Sequence, residues 1–187
     1  MVHPFEKLHR DQKKRLFVFS TMCSLVLMVV LNVIGAPLLT EAAPMGIISF
    51  ELAGQTDRMV MILDSWDWQA RLHAAFSLGL DYVFMIAYST AIGLGCVLAA
   101  RVITSRRWPF ASWGSWLAWG QWLAAILDAI ENWALTSILF GSELSPWTMI
   151  ARWCAQIKFL LVFLGLVYSM YGLVVFLMRQ WSQEVRT

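Results

Sequence analysis

Of 187 residues, 59% are hydrophobic and 14% charged, and the net charge is only +2. A soluble domain has roughly 45–50% apolar and about 25% charged residues, so a water-soluble globule is excluded. The basic N-terminus is short and abuts a spanning run, which argues against a nucleic-acid partner. The three cysteines, Cys23, Cys96 and Cys154, sit in separate apolar runs without a CxxC pair for thiol redox chemistry.

The first apolar run covers residues 16–35, behind the basic residues Lys7, Arg10, Lys13, Lys14 and Arg15. It is longer than the roughly 7–15-residue core of a signal peptide, and Ile34-Gly35-Ala36 is a poor cleavage site. We therefore read it as a retained spanning helix, ended by Gly35-Ala36-Pro37. Residues 37–69 form the longest segment between spans. Within it, Glu51, Gln55 and Arg58 recur at i, i+4 and i+7, with Ile48, Leu52, Met59 and Ile62 as the apolar counterpart. That periodicity predicts one amphipathic helix over residues 46–64, too short and polar to span, lying on the outer surface or over the ends of the spans. Trp66 and Trp68 then anchor at the interface.

The second span is expected over residues 71–101, with Ala87, Ala91, Gly95 and Ala99 as a stripe that lets helices approach closely. The third, residues 109–140, opens at Trp108-Pro109 and ends at Gly141. Its Trp113, Trp116, Trp119 and Trp122 read as facing lipid and the inner interface rather than as a stacking platform. The fourth, residues 147–178, takes Ser145-Pro146 as N-cap and first turn. One of its faces carries Ala151, Ala155, Lys158, Gly165 and Gly172. The fold expected is all-α: a polytopic four-transmembrane-helix bundle in a single domain, with an extra amphipathic outer helix between the first two spans.

Charge sets the orientation. Arg101, Arg106 and Arg107 lie between the second and third spans, and Arg179 and Arg186 follow the fourth. The segment between the first two spans instead holds Glu41, Glu51, Asp57, Asp64 and Asp67 against Arg58. By the positive-inside rule both termini are cytoplasmic, and the membrane expected is a bacterial inner (plasma) membrane.

Inside these runs stand Asp81, Asp128, Glu131, Asn132 and Lys158. An ionisable group at mid-helix costs about 2.5–3.5 kcal/mol on insertion scales, so such groups usually face a protein interior. Counting at about 1.5 Å per residue, all of them lie at one level, roughly 15 Å from the outer ends of their helices. Asp128, Glu131 and Asn132, at i, i+3 and i+4, share a face. His73, Ser77 and Asp81 form a stripe from that level toward the outer surface, where Glu51 or Arg58 would close the path.

Three acids around one ammonium can serve general acid/base work or fix helix register. Asp81, Asp128, Glu131 and Lys158 are the catalytic candidates; Glu51, Arg58, His73, Ser77 and Asn132 are the ligand-binding candidates. No metal ligands and no cofactor are expected, since HExxH, GxGxxG, the P-loop and Gly-x-Ser-x-Gly are missing and no apolar run carries the Glu-x-x-His of the di-iron bundles. Without a complete catalytic signature, the default reading is a protein of the lipid bilayer that binds a lipid-like ligand or a partner membrane protein. The alternatives are an intramembrane acid/base enzyme acting on a lipid or isoprenoid, and a proton-linked carrier working as a homo-oligomer.

Overall fold

In the computed structural model, which describes residues 2–142 and 144–184, the regular structure is helical. In chain order the helices are α1 (Arg10–Gly35), α2 (Ile47–Glu51), α3 (Thr56–Ser65), α4 (Trp68–Ser105), α5 (Trp113–Leu139) and α6 (Leu144–Glu184). Of these, α1, α4, α5 and α6 are long and apolar enough to cross a membrane. Arg186 lies outside the described residues.

Local chemistry sets the helix ends. Asp67 starts α4 earlier than hydropathy alone does, because its carboxylate accepts the Ala70 amide at 2.8 Å. Ser145 has extended backbone (φ −91°, ψ 131°), so the continuous part of α6 starts at Pro146, as the cap-and-proline pair predicts.

The single amphipathic helix predicted over residues 46–64 is in fact two helices. Gly54 takes a φ of +63°, and the Arg152 side chain from α6 fills the space a Cβ would need. This break resets the buried face. On α3, Met59 and Ile62 are buried, as the periodicity predicts. On α2 the pattern inverts: Phe50 and Glu51 are buried and Ile48 is exposed. Phe50, Met59, Ile62 and Trp66 pack with Leu78 of α4 and Leu135 of α5 in a core that caps one end of the bundle. Trp66 is therefore not an interface anchor. It is buried and donates its indole N–H to the Leu38 carbonyl at 3.0 Å, while Trp68 is exposed.

Residues 2–9 fold back onto the bundle beside the C-terminal half of α4. The buried His3 ring stacks edge-on against Trp119 and Trp122, with centroids 4.9 and 4.8 Å away. The Glu6 carboxylate accepts the Ser115 hydroxyl and the His3 amide, and the Lys13 ammonium donates to the Glu6 carbonyl at 2.8 Å. The tryptophan series therefore divides. Trp113 and Trp116 are exposed, whereas Trp119 and Trp122 form a platform for the chain's own histidine.

Helix α4 touches each of the other three long helices. The predicted small-residue stripes of α4 and α6 face one another: Gly172 packs on Ala99, and Gly95 sits against Ser169. Helix α1 leans on α4 and leaves most of its own surface exposed.

Candidate functional site

The polar residues inside the spans meet in one buried cluster. Lys158, from α6, reaches Asp128 Oδ1 at 2.7 Å and Glu131 Oε2 at 2.8 Å, both on α5. Ala151 and Ala155, fully buried on the preceding turns, let α6 approach closely enough for this reach. Asn132, one turn along α5 from Asp128, donates to Asp81 Oδ2 of α4 at 2.7 Å. Asp128, Glu131, Asn132 and Lys158 are all at most 6% exposed, so each charge depends on its neighbours rather than on water.

Two residues complete the cluster in roles that the sequence reading did not assign. Tyr88 lies seven residues after Asp81, two turns along the same face of α4, and its hydroxyl donates to Asp128 Oδ2 at 2.9 Å. Glu51 was placed at the mouth of a surface path. Because the Gly54 break turns α2 inward, it is a fourth carboxylate, 3.7 Å from Lys158 Nζ. It shares that ammonium with Glu131, whose Oε2 lies 2.8 Å from Nζ. Burial pushes the Glu51 carboxyl above its ordinary range, against the pull of the Lys158 ammonium.

A cavity of about 660 Å³ opens beside the cluster, between α1 and α6 and over α4, under the α2 segment. Glu51, Ser77, Asp81, Asp128, Asn132 and Lys158 line it at the polar level. The rest of the wall is almost wholly apolar, with Met28 of α1, Phe84 of α4 and Val162 of α6 among its residues. Some wall residues, such as Leu25 (49% exposed) and Phe159 (40%), also lie on the outer surface of the bundle, so the cavity opens sideways between the helices.

The other predicted site residues stand elsewhere. His73 does not line the cavity. Its ring Nδ1 is 3.0 Å from the Ile34 carbonyl in the last turn of α1, where carbonyls lack helical partners, and it borders a separate small indentation with Pro37 and Asp67. Arg58 is half-buried on α3 and does not line the cavity. The predicted path from His73 to the cluster is thus not formed; of that stripe only Ser77 and Asp81 reach the cavity. Among the described residues no group of three or more His, Cys, Asp and Glu side chains is arranged to hold a metal ion.

No protein-family model matches the chain, and no curated protein or solved structure matches it.

Proposed function

We propose that the protein binds a lipid-like amphiphile, with the tail along the apolar wall of the cavity and the polar head at Asp81 and Asn132. One observation carries this reading. The cavity wall is mostly apolar, and its charged residues gather at a single level. Its volume of about 660 Å³ falls in the roughly 300–1,000 Å³ range of small-molecule pockets, which likewise combine apolar walls with a few placed polar groups. A cluster serving only to fix helix register would have no need of an adjoining cavity. The setting we propose is a bacterial plasma membrane with both termini cytoplasmic, supported by the basic residues at one end of the spans and the acidic residues 41–67 at the other.

Mild extraction from membranes followed by native mass spectrometry tests the reading. The wild type should retain one amphiphile, and Ala91→Phe, which fills the cavity wall, should not. If wild type and Ala91→Phe carry the same bound species, the cavity is not the site.

The Glu51 and Glu131 carboxyls beside the Lys158 ammonium support a second reading, an intramembrane acid/base enzyme acting on the head group of the amphiphile. On that reading Glu131→Gln retains the bound molecule but abolishes its conversion. If the same species is recovered unchanged from both proteins, binding alone is the function.

A further inference from the structure

Within the reading of the cavity as an amphiphile site, we infer that the head group it takes is a hydrogen-bond donor without negative charge, an alcohol or a protonated amine. Phosphate- and carboxylate-headed lipids are rejected.

Along the polar wall the donors of Tyr88, Lys158 and Asn132 are engaged inside the protein, while the Ser77 and Thr21 hydroxyls, which also line the cavity, can accept as well as donate. The Tyr88 hydroxyl is spent on Asp128 Oδ2. The Lys158 ammonium donates to Asp128 Oδ1 and is ion-paired with Glu131 at 2.8 Å and Glu51 at 3.7 Å. Asn132 Nδ2 donates to Asp81 Oδ2. Two acceptors at the charged level stay open. Asn132 is fully buried and lines the cavity, yet its Oδ1 has no hydrogen-bond partner among the described residues. Asp81 also lines the cavity, and its one hydrogen bond, from Asn132, occupies Oδ2 and leaves Oδ1 open.

An unpaired buried acceptor is costly, and a donating head group removes that cost where an accepting one cannot. Charge points the same way. Glu51, Asp81 and Asp128 line the cavity against Lys158 as the single basic lining residue, and Glu131 stands directly behind. An anionic head would meet this excess of acids in surroundings that screen poorly, with the nearest ammonium already paired to carboxylates. An ammonium head would relieve the excess, and a hydroxyl would leave it unchanged while satisfying the open acceptors.

The test compares four probes with one tail: dodecanol, dodecylamine, dodecyl methyl ether and dodecyl phosphate. Each is titrated against wild type, Asp81→Asn and Ala91→Phe in lipid nanodiscs, with the bound fraction read by native mass spectrometry. In wild type, dodecanol and dodecylamine should bind about tenfold more tightly than the ether and the phosphate, the ratio expected for one good hydrogen bond to a charged acceptor. Asp81→Asn should shrink the advantage of the amine most. If the phosphate or the ether binds wild type as tightly as the alcohol, the head-group inference is wrong while the cavity reading stands. If no probe distinguishes wild type from Ala91→Phe, the cavity reading itself fails and the inference with it.

Discussion

Replacing Lys158 with methionine changes little in volume but removes the cation on which the cluster is built. Lys158 Nζ lies 2.7 Å from Asp128, 2.8 Å from Glu131 and 3.7 Å from Glu51, and these carboxylates are themselves buried. Removing one partner of a buried ion pair costs about 3–5 kcal/mol, because the remaining charge is left uncompensated. Here more than one carboxylate is stranded, so the upper end of that range applies. The cavity contribution is small, since the methionine side chain nearly refills the lysine's volume. Neutralising the stranded acids should restore most of the loss. Lys158→Met combined with Asp128→Asn and Glu131→Gln should recover stability to within about 1–2 kcal/mol of the parent, as replacement of whole buried ion pairs usually does. Reversible unfolding in mixed micelles, followed by circular dichroism, measures both. A parent-like Lys158→Met, or a triple variant no more stable than the single one, would refute the electrostatic account.

Burial lowers the His3 imidazole below its ordinary value of 6.5, against the opposing pull of Glu6. As pH falls through that value the undocked segment gains a proton that the docked one refuses, so residues 2–9 should loosen on acidification. A spin label on Val2→Cys should gain mobility between neutral pH and about pH 5, and His3→Gln should remove the dependence; equal mobility at both pH values contradicts this. Gly172→Leu should cost about 1–3 kcal/mol through overpacking against Ala99, and a neutral result in micelle unfolding would mean the α4–α6 contact yields freely. An impermeant thiol reagent applied outside intact cells should label Thr56→Cys and not Ser105→Cys in a cysteine-free background; the reverse pattern inverts the proposed orientation.

What could be read from sequence alone divides along physical lines. The long helices were legible because each is an apolar run with proline, glycine or an acid at its ends. The meeting of Asp81, Asp128, Glu131 and Lys158 was legible because depth and helical phase can both be counted along spanning helices. Tyr88 could have been found by the same counting from Asp81, but tyrosine is common in such runs and carries no charge to draw attention. Glu51 was misplaced because the periodicity continues across Gly54, and only the positive φ there turns α2 inward. His73 was misassigned because a polar stripe on α4 does not reveal that the end of α1 offers it a carbonyl. The docking of His3 on Trp119 and Trp122 depends on contacts with the distant α5, for which a short polar N-terminus gives no local pattern.

The central claim is that the cavity beside the cluster holds an amphiphile by its head. A high-resolution cryo-electron microscopy map of the protein in native-lipid nanodiscs tests it most directly. The account predicts an elongated density between α1 and α6, with its polar end within hydrogen-bonding distance of Asp81 and Asn132. A map in which α1 closes onto α6, or in which ordered water alone fills the space beside Asp81 and Asn132, would contradict it.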